Sequence, residues 1–178
     1  MINGNTELIA HIGYPTHAFK SPMIYNPYFE QAGVDVVVMP MACQAPHYPA
    51  FLKAVFTLDN ICGALITMPH KVTTLQLLDE ASSAAKISGA CNAVRRTDDG
   101  RLIGDMFDGE GFVRGAQRKG CRLAGARALV VGCGGVGSAI AASLAAAGVA
   151  AIGLFDARPE SAEALAGRLR THYAAIDT

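Results

Sequence analysis

The chain has 178 residues, 51% of them apolar and 17% charged, with 15 Lys and Arg against 15 Asp and Glu and a formal net charge of zero. That composition suits one large or two small globular domains, and its balanced charge gives no basic face to draw nucleic acid or a membrane surface. Five scattered cysteines, with no CxxC pair and no histidine at zinc-like spacing, read as reduced thiols and predict no metal.

No signal peptide is visible at residues 1–12, and the most apolar stretch, residues 139–149, is too short to span a bilayer. A soluble, cytoplasmic protein is expected. Residues 7–12 read as a strand ending at Gly13. Ser21-Pro22 marks a helix start, with Ser21 as N-cap, and the helix runs through Tyr25, Tyr28 and Phe29 to Gly33. Residues 34–39, β-branched and closed by Pro40, predict a buried strand. A helix over 51–58, a buried strand over 63–67 and a helix opened by Pro69 follow. Residues 91–96 and 101–105 flank Thr97-Asp98-Asp99-Gly100 as a hairpin. Residues 108–118 then suit a helix that Asp108 could cap. Strands alternating with helices predict an α/β fold with a mostly parallel sheet, the hairpin supplying an antiparallel member.

A second unit opens near Arg127: strand 128–131, glycine turn, helix 138–147, strand 151–155, helix 161–170, and a third strand beginning at 173–176. Gly132-Cys133-Gly134-Gly135-Val136-Gly137 matches GxGxxG between an apolar strand and an Ala-rich helix. Gly132 permits the tight turn, Gly134 and Gly135-Val136 leave the helix N-terminus open to a pyrophosphate, and Gly137 lets helix and strand pack closely. Asp156 lies 24 positions after Gly132, at the end of the next strand. A carboxylate there accepts from ribose hydroxyls and repels a 2′-phosphate, which favours NAD. Arg158 could instead hold that phosphate and admit NADP. The plainer alternatives are a turn that serves packing alone and an Asp156 that merely caps a helix. A doubly wound domain needs more strands than these, so the chain is expected to be a fragment truncated at its C-terminus.

Across the first half run Gly13-Tyr14-Pro15, Lys20-Ser21-Pro22, Thr67-Met68-Pro69-His70-Lys71, Gly89-Ala90-Cys91-Asn92 and Gly104-Asp105-Met106-Phe107-Asp108-Gly109. In this order, with the glycine turn after them, they resemble the shikimate dehydrogenase family. The resemblance implies an α/β substrate domain over 1–122, an incomplete Rossmann NAD(P)-binding domain over 123–178, and an active site in a cleft between them. It also implies reversible hydride transfer between a ring carbinol and the nicotinamide. Lys71 aligns with the catalytic lysine and Asp108 with its partner aspartate, which would orient the ammonium and bind a substrate hydroxyl. Asn92 and Thr67 would hold hydroxyls. The expected partner is a small-molecule substrate, with a homodimer left open. Read without the resemblance, Lys71 is a solvated lysine, Asp108 an N-cap, Asn92 a turn residue and Thr67 a strand end; His70 is a bystander or pocket wall, and His11, His17 and His47 form no ligand set.

Departures from the family pattern are as informative. Of two serines that would bind the substrate carboxylate, only Ser21 remains, and Phe19 holds the other position. Leu65 stands where the family has Asn, and Met106-Phe107 where it has Asn-Thr. Lost hydroxyl and amide groups disfavour a polar ligand and tolerate an apolar one. The substrate is therefore expected to be quinate, shikimate, a related ring alcohol or a less polar compound. A folate-linked dehydrogenase fits the motifs less well. A dinucleotide-binding or regulatory protein without turnover is the rival from another class.

Overall fold

The computed structural model describes residues 2–178. In chain order the elements are β1 (Glu7–Gly13), α1 (Ser21–Ala32), β2 (Val36–Ala42), α2 (Tyr48–Val55), β3 (Ile61–Ile66), α3 (Lys71–Leu75), β4 (Glu80–Ala81), α4 (Ser83–Ser88), β5 (Ala93–Arg96), β6 (Leu102–Asp105), α5 (Asp108–Arg118), β7 (Arg127–Val131), α6 (Gly135–Ala146), β8 (Ala151–Phe155) and α7 (Pro159–His172). They form two compact units, Met1–Glu80 with Asn92–Gly104, and Ala81–Cys91 with Asp105–Thr178.

The sheet of the first unit has the order β2-β1-β3-β5-β6-β4. β1 pairs in parallel with β2 and β3, and β3 meets β5 antiparallel, so the hairpin supplies the expected antiparallel member. Ala10 and Ile12 of β1, Val38 of β2, and Ala64 and Ile66 of β3 are buried, as are Leu52, Val55 and Phe56 beneath α2. Alternation explains Ala64 and Ile66 of β3, since successive strand residues point to opposite faces, whereas β1, between β2 and β3, is buried continuously from Ala10 to Gly13. Two expectations fail here. β2 is an edge strand, with Val38 its one buried residue, and Pro40 lies inside it opposite His11. An edge tolerates the missing N–H that a central strand would not. Ser21 is the first residue of α1, Lys20 holds the N-cap position, and no side chain caps that end. The helix does stop at Gly33, with φ of 68°.

In the second unit β7, α6 and β8 make a parallel βαβ motif. The expected strand at 173–176 is reduced to a parallel bridge between Ala151 and Asp177, closed by Ile152 N donating to the Asp177 carbonyl at 2.8 Å. Val130, Ala141, Leu144, Ile152, Leu165 and Leu169 form the core. Each fully buried leucine contributes about 1.5–3 kcal/mol. α4 is a helix that the sequence reading left out: Ser82 Oγ accepts from Ala85 N at 3.1 Å, and Gly89 closes it with φ of 69°. It packs on α6 and α7, where Arg168 Nε donates to the Ile87 carbonyl at 2.7 Å. α5 packs on α6 so closely that a Cβ at Gly109 would run into the Ala139 carbonyl and the Ser143 hydroxyl. Among the described residues no helix is long and apolar enough to cross a membrane.

Candidate functional site

The candidate residues of the first unit gather at the C-terminal ends of β1 and β3, the end of a parallel sheet where ligands bind. Thr67 N donates to the Ile12 carbonyl at 3.0 Å, Tyr14 N to that of Met68 at 3.0 Å, and Ile66 N to that of Asn92 at 2.8 Å. Thr67 and Asn92 therefore stand at neighbouring strand ends, and both are half-buried. Lys71, also half-buried, is the first residue of α3. Phe19 reaches in from the irregular segment 14–20, its ring 4.1 Å from that of His11. Its tip closes over Gly13, where an added Cβ would lie 2.8 Å from Phe19 Cζ. Ser21 sits nearby in sequence at the start of α1.

His70 is not a loose bystander. Its ring stacks on Tyr48 at 3.9 Å, and its Nε2 donates to the Cys43 carbonyl at 2.8 Å. Thr74 Oγ1 donates to the His70 carbonyl at 2.8 Å and meets the Tyr48 hydroxyl at 2.6 Å. The network ties α2 to the start of α3 and holds the segment that carries Lys71. Burial pushes the His70 pKa down from 6.5, partly offset by the bond to the Cys43 carbonyl. His11 is likewise pushed down, first by burial and then by the positive charge of Lys71, so a neutral ring is favoured. Its Nδ1 is buried without a hydrogen-bond partner.

In the second unit the glycine turn has the geometry its spacing implies. Gly132 has φ of 96° and donates to the Phe155 carbonyl at 2.7 Å. Gly134 is the N-cap of α6, which begins at Gly135 instead of Ser138, so the helix N-terminus lies inside the motif. A Cβ at Gly137 would strike the Gly132 carbonyl, whereas one at Gly134 would meet nothing within 4 Å. One residue is thus forced by packing, and the other leaves open room beside free N–H groups. Asp156 accepts from Cys133 N at 2.7 Å and from Arg158 N at 2.9 Å. The bonds from Arg158 N and then Cys133 N hold its pKa below the usual 3.8. The N-cap of α7 is Arg158, so Asp156 is not that cap; it pins the glycine turn to the end of β8. Arg158 Nε lies 4.0 Å from Asp156. Asp108 begins α5 as its first residue, with Phe107 at the N-cap position and no capping side chain.

Residues 11–94 match the model of the shikimate dehydrogenase substrate binding domain, and residues 113–158 match that of the ThiF family. A shikimate dehydrogenase (NADP(+)) of Rubrobacter xylanophilus is 34% identical over 94% of this chain and 59% of its own length. One from Geobacter metallireducens is 37% identical over 85% of this chain and 52% of its own length. The crystal structure of shikimate 5-dehydrogenase from Listeria monocytogenes, in complex with shikimate and NAD, superposes with a TM-score of 0.91 at 28% identity, over 99% of this chain and 62% of that one. Over most of its length the chain is similar to shikimate dehydrogenases.

It spans a little over half the length of those two relatives. Set against that similarity, the departures from the expected motif pattern now have positions. Phe19 packs on His11, Leu65 pairs beside His11 across β1 and β3, Met106 is buried, and Phe107 is 50% exposed ahead of α5. His11 is the residue that sequence reasoning passed over. A polar side chain in the middle of an otherwise apolar strand was the available signal.

Proposed function

We propose that this chain serves an NAD(P)-dependent dehydrogenase acting on the ring CH–OH group of a shikimate- or quinate-type alcohol. Residues 1–122 would carry the substrate and residues 123–178 the dinucleotide. The observation that supports it most is the glycine turn: an open Gly134 at the start of α6, a Gly137 that admits no side chain, and an Asp156 already oriented by two backbone N–H groups. The fit suits a pyrophosphate over residues Gly132, Gly134, Gly135, Val136 and Gly137, with Asp156 on the ribose hydroxyls. NAD is the preferred cofactor on this reading. The NADP(+) in the relatives' names, together with Arg158, makes NADP the competitor.

When bound, the nicotinamide supplies the hydride acceptor. Lys71 Nζ, as the amine, takes the hydroxyl proton while the carbinol C–H bond breaks, and returns it in the reverse reaction. Asp108 accepts from a substrate hydroxyl, and Thr67 and Asn92 orient the ring hydroxyls. Ser21 contributes one further hydroxyl, and Phe19 lines the pocket. The proposal extends to cytoplasmic residence, which five scattered cysteines without a CxxC pair favour, and to a homodimer, which sedimentation velocity would detect.

Reduced-nicotinamide formation with shikimate and with quinate, under NAD and NADP separately, tests the reading. Turnover that falls about a hundredfold or more in Lys71→Ala, with cofactor affinity kept, is the expected result. Cofactor binding with no turnover on either alcohol would favour the non-catalytic binder.

A further inference from the structure

His11 is 5% exposed, and its Nδ1 lies sealed from solvent with no partner. A buried polar atom of this kind is uncommon unless a ligand, water or ion completes it. Three neighbours define what could do so. Leu65 stands beside His11 on β3, the Phe19 ring covers it from a loop, and the positive charge of Lys71 is near enough to disfavour imidazolium. Two of these are apolar, and the ring itself favours neutrality. A carboxylate brought there would exchange water for a phenyl ring, a leucine and an uncharged imidazole, a costly transfer that the charge of Lys71, already a lesser influence on His11 than burial, offsets only in part. A hydroxyl would exchange water for one good hydrogen bond, because a neutral imidazole nitrogen accepts from O–H. The cover is a single ring, since Phe19 is only partly buried and belongs to a segment without regular structure.

We propose that His11 Nδ1 is the partner of a substrate hydroxyl, and that with Phe19 it selects a ring polyol without a carboxylate. This rests on the dehydrogenase reading above, in which Lys71 marks the reacting end of the same pocket. His11 is then a specificity-determining residue, with no part in the proton or hydride transfer.

The test compares shikimate with its carboxylate-free counterpart, a trihydroxycyclohexene, as substrates of the wild-type chain and three variants. Wild type should prefer the triol in kcat/KM by about tenfold or more. His11→Phe should lose that preference through KM, whereas His11→Asn, whose amide can place a polar atom near that of Nδ1, should keep most of it. Phe19→Ser should improve shikimate relative to the triol. NAD affinity and the melting temperature, followed in each variant, separate loss of recognition from loss of fold. A wild-type preference for shikimate, or equal preference in wild type and His11→Phe, overturns the assignment of His11 and leaves the dehydrogenase standing. Failure of both alcohols to turn over, with NAD bound, overturns the dehydrogenase reading itself.

Discussion

One carboxylate, that of Asp156, accepts from both Cys133 N and Arg158 N, and so couples the glycine turn to the end of β8. Its spare lone pairs are the ones proposed to receive ribose hydroxyls. Asp156→Ser should therefore raise affinity for NADP relative to NAD by about tenfold or more, because a like-charge repulsion is removed. Fluorescence titration with both cofactors checks this, and an unchanged ratio would count against the role. Gly137→Ala sets a methyl group on the Gly132 carbonyl. It should cost about 1–3 kcal/mol in urea unfolding and weaken dinucleotide binding at once. These residues were readable in sequence because their roles depend on spacing along a single strand–turn–helix unit. His11 was not, because Phe19 comes to it from a loop and Leu65 from another strand, and neither juxtaposition leaves a periodic trace.

α3 shows how a very short helix is held in place. It has five residues, too few to be stable alone, and its anchor is the His70, Tyr48 and Thr74 network. His70→Asn should cost about 1–3 kcal/mol at pH 7, the range for leaving buried groups unsatisfied. The pH dependence follows from the lowered pKa values of His70 and His11. Below about 6.5 the unfolded chain takes up protons on both rings before the folded one does, so stability falls as pH falls. Urea midpoints should drop between pH 7 and 5.5, and His70→Asn should flatten that drop. The contribution of Asp156 has the other window, present above 3.8 and lost as pH falls below it. Among the elements, β1, β8, the hairpin and the helix of the glycine turn were readable from apolar runs and glycine punctuation. α4 was missed because six residues carry too little periodicity, although Ser82 and Gly89 bracket it as caps. β2 was misjudged as buried because β-branched composition does not distinguish an edge from a centre.

At the scale of the whole molecule, sequence and packing divide the chain differently. The motifs run in a simple order, but the second compact unit takes residues 81–91 out of the first half, since α4 packs on α6 and α7. No local pattern announces such an excursion. The similarity to shikimate dehydrogenases was nonetheless readable, because short motifs in fixed order over most of the chain are far more specific than any one of them. The central claim, hydride transfer from a ring carbinol, is tested most directly by label transfer. Shikimate and its carboxylate-free triol, each carrying deuterium on the carbinol carbon, would be incubated with the chain and NAD, and the reduced nicotinamide recovered for mass spectrometry. The account predicts one deuterium in the recovered nicotinamide with at least one alcohol, and its loss with Lys71→Ala. Bound NAD that stays unlabelled with both alcohols would contradict it.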